Sequence, residues 1–265
     1  MPLEWLLYPV LGVVAGLLAG LLGIGGGLVL VVALAWLLPT QGVPADSAMH
    51  AALATSMASI VLTAAASARA HHRRGSVLWP TVAWLLPGLL VGGWLGSALA
   101  THLDGHLLRW IVVAYCALAA VQLLAEWPRA HTDTGVAPRG GGLSLAGIGI
   151  GAMSALVGIG GGSMTVPLLI WRGVVPVRAV GTSSACGVGI GLASASGYAL
   201  LPQAVGMPTG SWGFVFLPAA IGIAITSVLM APYGTRLAHH FSGTTLKRVF
   251  AAFLLAMAAL LALQR

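Results

Sequence analysis

Two residue patterns in this chain could do chemistry. One is a glycine run, Gly23-Ile24-Gly25-Gly26-Gly27, which returns as Gly158-Ile159-Gly160-Gly161-Gly162. The other is a set of hydroxyls: Ser163 and Thr165 directly after the second run, and Thr55, Ser56 and Ser59, then Thr182, Ser183 and Ser184, in the apolar segments that follow each run. A glycine run leaves backbone N–H groups unshielded, and a helix starting after it points its positive dipole end at the same place. Hydroxyls add neutral donors. Backbone amides, a dipole end and hydroxyls together make a site for a small oxyanion that has to bind and also leave. The competing reading is packing, since small and hydroxyl residues let transmembrane helices approach closely without any ligand.

Other chemistries are poorly served. The glycine run is no phosphate loop, because no Lys-Ser/Thr follows it and no strand precedes it. Gly181-Thr182-Ser183 offers a serine, but no histidine stands at comparable depth to act as its base, so no enzyme activity is expected. His71-His72 and His239-His240 adjoin arginines or connections, where solvated residues are expected, and His50 reads as an interfacial residue at the start of the Thr55 helix. Cys116 and Cys186 stand alone in apolar surroundings and read as buried small hydrophobes. No metal or cofactor is expected. Glu4, Asp46, Asp104, Glu126 and Asp133 all fall at segment ends or in connections, which argues against a carboxylate-lined cation path.

The elements that position these residues are apolar. Of 265 residues 58% are hydrophobic and 6% charged, too few charges to solvate a soluble exterior. The apolar segments run roughly 3–38, 47–69, 78–100, 107–127, 143–171, 177–201, 212–232 and 245–263, many of them long enough to cross about 30 Å of hydrocarbon. Trp5, Trp36, Trp79, Trp110, Trp127, Trp171 and Trp212 fall near their ends, the aromatic-belt position. The net charge of +7 sits between apolar spans, as orientation determinants do, and does not signal nucleic acid.

The chain is a duplication. GLLAGLLGIGGGLVLV at Gly16–Val31 matches GAMSALVGIGGGSMTV at Gly151–Val166, an offset of 135, and Ala54-Thr55-Ser56 matches Gly181-Thr182-Ser183. The first repeat covers residues 1–127, a polar connecting loop 128–142, and the second repeat 143–265. If all eight segments crossed once, six Lys and Arg would lie on each side. If each glycine-broken segment instead enters and leaves on one face, ten (Arg69, Arg73, Arg74, Arg129, Arg139, Arg172, Arg178, Arg236, Lys247, Arg248) lie inside against Arg109 and Arg265 outside, the bias the positive-inside rule demands. The expected fold is thus an all-α integral membrane protein of two inverted repeats, each a glycine-broken re-entrant hairpin plus three transmembrane helices, with both termini outside. The alternative is a long, tilted or kinked single helix in each half.

The duplicated GLLAGLLGIGGG and SALVGIGGGSMTVP, the Thr-Ser helix after each, and the basic connection His71-His72-Arg73-Arg74-Gly75 resemble the TauE/SafE family of membrane transporters over nearly the whole chain. The resemblance implies a multi-pass protein of the bacterial inner membrane and a small sulfur oxyanion or sulfonate, such as sulfite, as substrate. The expected contacts are Gly23, Gly25, Gly26, Gly27, Thr55, Ser56, Gly158, Gly160, Gly161, Gly162, Ser163, Thr165, Thr182 and Ser183. Leu28 and Leu30 stand where the second half has Ser163 and Thr165, so the site is asymmetric. Nothing in the residues selects a coupling ion, proton or sodium, decides on a homodimer, or fixes direction. A membrane scaffold using these motifs for packing alone, or a pump powered by a partner chain, stays open at this level.

Overall fold

The computed structural model describes residues 7–22, 26–125, 137–201, 205–238 and 243–263. Each glycine-broken segment is two helices. In the first half α1 (Leu7–Leu22) is followed by α2 (Gly27–Thr40), and in the second α6 (Gly141–Val157) by α7 (Gly162–Trp171). At 1.5 Å per residue these are about 24, 21, 26 and 15 Å long, short of the roughly 30 Å core. The long helices are α3 (Ala45–His72), α4 (Trp79–Thr101), α5 (Gly105–Leu124), α8 (Pro176–Leu200), α9 (Leu217–Ala238) and α10 (Gly243–Leu263). Among the described residues α3, α4, α5 and α9 are both long and apolar enough to cross a membrane.

Local sequence sets the ends. Pro80 and Pro176 stand in the first turns of α4 and α8, where a missing N–H costs nothing. Asp104 caps α5, its carboxylate accepting from Leu107 N at 2.6 Å. Gly158 ends α6 at φ 78°, and Gly161 opens α7 at φ 75°; both lie in the left-handed region that glycine enters without penalty. A feature outside the expected all-α plan is the two-residue hairpin β1 (Ser211–Trp212) and β2 (Val215–Phe216) before α9.

Glycine faces govern the packing. On α1, any Cβ at Gly12, Gly16 or Gly20 would collide with the backbone oxygens of Ile223, Ser227 and Ala231 on α9 in turn. The positions ascend together, so α1 and α9 run parallel. On α4, Gly88, Gly92 and Gly96 meet Ser144, Ile148 and Ala152 of α6 in the same way, so α4 and α6 are parallel too. Two of the most extensive interfaces in the chain thus each join one half to the other. Helices α3 and α8 run antiparallel: Gly191 faces Met57, Gly187 faces Ala64, and Ser184 Oγ bonds Ser67 Oγ at 3.1 Å. Helix α3 contributes Met49 and Ala51–Ala54 to one apolar core, shared with α2, α5 and α10, and Met57–Ala68 to a second, shared with α4, α7 and α8.

The exterior is apolar. Leu90, Val91, Trp94, Leu95 and Leu99 on α4, with Leu118 and Val121 on α5, are exposed, a surface that suits lipid and not water. Trp36, Trp79, Trp110, Trp171 and Trp212 are exposed near element ends, as an interfacial belt requires. Trp84 and Trp94, inside α4, are exposed as well. Trp5 and Trp127 lie outside the described residues.

Candidate functional site

Of the first glycine run, Gly23 and Gly25 lie outside the described residues. Gly26 caps α2 at φ 67° against Ala15, and Gly27 begins the helix. A Cβ on Gly27 would run into the carbonyl oxygen of Gly158 and stand 3.1 Å from Ile159 Cα. Gly27 of one break and Gly158 of the other, 131 positions apart in the chain, therefore touch backbone to backbone. Helix α3 fastens them together. Ser56 Oγ lies 3.0 Å from Gly158 O and 3.2 Å from Gly27 O, and its single proton is shared between the two carbonyls. Gly160 O faces Gly187 of α8, so α8 backs the second break as α3 backs both.

The paired threonines tie helix starts of one half to the other. Thr55 Oγ1 accepts the backbone N–H of Phe216 at 3.0 Å, just before α9, and Thr182 Oγ1 accepts that of Leu78 at 3.0 Å, just before α4. A helix start leaves its amides without intrahelical acceptors, and here each half supplies the acceptor for a helix of the other. Both threonines are fully buried. They serve as reciprocal ties between halves. Ser183 is also fully buried.

Hydroxyls crowd the second break. Ser163 Oγ and Tyr115 Oη of α5 are 2.5 Å apart. Thr165 is fully buried, and its Oγ1 has no hydrogen-bond partner among the described residues. So is Ser154, one helical turn before Gly158, whose carbonyl takes both Gly158 N and Ile159 N and whose Oγ is likewise unpartnered. That hydroxyl stands 3.3 Å from where a Cβ on Gly161 would be. Ser154 and Tyr115 were not among the residues expected from sequence. Ser154 was visible as the place where the second half departs from Ala19 of the first; nothing marked Tyr115.

One histidine departs from expectation. His71 is 1% exposed, not solvated, because it lies on the inward face of the last turn of α3. His50, near the start of α3, is 6% exposed: its Nε2 donates toward Leu103 O at 2.9 Å and Ala100 O at 3.2 Å, and its ring stacks on Phe214 at 5.1 Å. His72 is the solvated one, accepting from Trp79 Nε1 at 3.1 Å. His239 and His240 lie outside the described residues. Cys116 and Cys186 are free and buried, as expected. Among the described residues no group of His, Cys, Asp or Glu could hold a metal.

The profile of the sulfite exporter TauE/SafE family matches residues 8–261. A probable membrane transporter protein of Haemophilus influenzae is 35% identical over 257 residues, 96% of each chain. Probable membrane transporter proteins of two Xylella fastidiosa strains are 35% identical over 193 residues, 71% of each chain, and 32% identical over 254 residues, 93% of this chain and 90% of the relative. No solved structure matches the chain.

Proposed function

The chain belongs to the sulfite exporter TauE/SafE family, and on that premise we propose that it is a secondary transporter carrying a small anion, sulfite or an organosulfonate, across the bacterial inner membrane by alternating access between two inverted repeats. The observation that carries this reading is the meeting of the two glycine breaks at Ser56, where the N-terminus of α2 lies against Gly158 and Ile159, at the end of α6 and just ahead of α7, inside the protein. Irregular backbone at membrane depth is tolerated only where protein buries it or a watered path reaches it, and paired half-helix ends facing one point are how anion transporters hold cargo.

Helix directions support the inverted arrangement. Equivalent helices α3 and α8 run antiparallel, as a two-fold axis in the membrane plane requires. Helices α1, α3 and α9 share one direction, and α4, α6 and α8 the other. That α1 and α3 point the same way with only α2 between them supports a turn back at the break; in this reading both glycine-broken segments are re-entrant and, with the Lys and Arg bias, both termini lie outside. The ligand contacts are the backbone of Gly26, Gly27 and Gly160–Gly162 with the hydroxyls beside them, while Thr55 and Thr182 hold the halves in register. Proton or sodium would supply the coupling ion, and a homodimer is compatible with the apolar exterior.

Flux of sulfite and of 2-hydroxyethanesulfonate in proteoliposomes tests the reading. The expected result is saturable flux that is lost in Gly161→Leu while the variant still reconstitutes. Equal flux in wild type, Gly161→Leu and empty vesicles would overturn it and leave the motifs a packing role.

A further inference from the structure

Resting on the transporter reading, we infer that the site takes singly charged oxyanions only, seated on the second break with the hydroxyls of Ser154 and Thr165 as donors. The break has more than a helix end to offer. Ser154 and Thr165 are both fully buried and both without a side-chain partner among the described residues, and the backbone N–H of Thr165 donates to Gly161 O at 2.8 Å. Ser154 Oγ approaches it from α6 at 3.3 Å from the notional Cβ. Thr165 lies four residues on, one turn into α7, and helical side chains lean toward the N-terminus, which carries its hydroxyl back toward the break. Between them the amides of Gly162 and Ser163 precede the first intrahelical acceptor of α7. A buried hydroxyl without a partner carries a desolvation cost. A bound oxyanion, rich in acceptors, would relieve two at once.

The charge of that ligand follows from what surrounds it. Each helix N-terminus is worth roughly half an elementary charge, so α2 and α7 together offer about one. The C-terminal ends of α1 and α6 lie at the same breaks and subtract from that. Among the described residues the arginines of the surrounding helices are set off from the break along their own axes. Arg178 of α8 is nine residues, about 14 Å of rise, from Gly187, which faces Gly160, and Arg69 of α3 is thirteen residues, about 20 Å, from Ser56. Arg172 ends α7, about 15 Å of rise from Gly162. Arg109 is six residues, about 9 Å, from Tyr115, and its side chain leans toward the N-terminus of α5, farther away. The desolvation cost of an ion grows with the square of its charge, so a dianion costs about four times a monoanion in the same low-dielectric place. Dipole ends that largely cancel, with neutral hydroxyls and amides as the remaining donors, stabilise a monoanion and leave the fourfold desolvation cost of a dianion uncompensated. For sulfite this selects the protonated form, bisulfite; for sulfonates it selects those whose only charge is the sulfonate.

Thermal stabilisation and proteoliposome flux with methanesulfonate, sulfate and sulfite across pH 5.5 to 8.5 test this. Methanesulfonate keeps one charge throughout, so it reads any contribution of titratable side chains carried by the surrounding helices: His50 and His71 of α3, Tyr115 of α5 and Cys186 of α8. The expected result is binding of methanesulfonate that does not vary with pH, sulfite affinity rising as pH falls, and none for sulfate. Ser154→Ala and Thr165→Val, which keep the packing volume closely, should each weaken methanesulfonate by about tenfold, as loss of a hydrogen bond to a charged ligand does. Sulfate binding as tightly as methanesulfonate, or sulfite binding insensitive to pH, would overturn the charge selection and leave the transporter reading standing. Unchanged affinity in both variants would overturn the placement on Ser154 and Thr165. Failure of all three anions to bind or cross would instead overturn the transporter reading itself.

Discussion

The two glycine breaks share a backbone and differ in almost everything else. The first is lined by Ala19, Leu28 and Leu30, and its Gly27 is jammed against the rigid main chain of Gly158 and Ile159. The second carries Ser154, Ser163 and Thr165 at the equivalent positions, and its Gly161 faces the movable end of Ile190 and a serine hydroxyl. Duplication supplied one device twice; divergence made one copy a wall and the other a donor set.

The largest effect that could break this comparison comes from adding one methyl group. Gly27→Ala should cost about 3 kcal/mol or more, because the main chain of Gly158 and Ile159 cannot move aside. Gly161→Ala should cost only about 1–2 kcal/mol, the penalty of a left-handed residue with a Cβ, since the nearest atom belongs to a flexible side chain. Melting temperatures of the two purified variants decide it, and the reverse order would mean that the wall and the donor set have been assigned the wrong way round.

Much of this was legible in the chain and some was not. The breaks, the Thr-Ser pairs and the asymmetry at Leu28 and Leu30 are visible because a repeat makes each departure stand out. That α1 packs on α9 and α6 on α4 was hidden, since Gly12, Gly16 and Gly20 read as small residues that would suit any neighbour. The role of Thr55 and Thr182 was hidden for a related reason: a hydroxyl aimed at a ligand and one aimed at a distant backbone amide have the same sequence. His71 was misplaced because its neighbours Arg69, His72 and Arg73 suggest water, whereas one face of the last turn still points inward. The hairpin at Ser211–Phe216 is too short to show alternation.

A middle-sized effect sharpens what the halves still share. Thr55→Val and Thr182→Val each strip the acceptor from a buried amide, of Phe216 and Leu78 respectively, and each should destabilise by about 1–3 kcal/mol. Matching losses of melting temperature would show that the ties remain equivalent; a loss confined to one variant would extend the asymmetry from the breaks to the frame. The smallest effect concerns the anchor peculiar to the second break. Tyr115→Phe removes the partner of Ser163 and should cost about 0.5–1.5 kcal/mol, and an additional loss on combining it with Ser163→Ala would show that the two side chains act independently of their bond.

The interface between α1 and α9 also bears on how the chain is made. Thr226 Oγ1 donates to Pro9 O across a separation of 217 residues, so the glycine face of α1 waits for a helix made much later. At about 5–20 residues per second that wait is roughly 10–40 s. Through it, Gly12, Gly16 and Gly20 present bare backbone to the bilayer with no partner yet made, and a helix of about 24 Å has to hold its place in a membrane it cannot span alone. Biogenesis of this protein is therefore a problem of parking: the insertion machinery, or another helix standing in for α9, has to keep α1 in reserve until the far end of its own chain arrives.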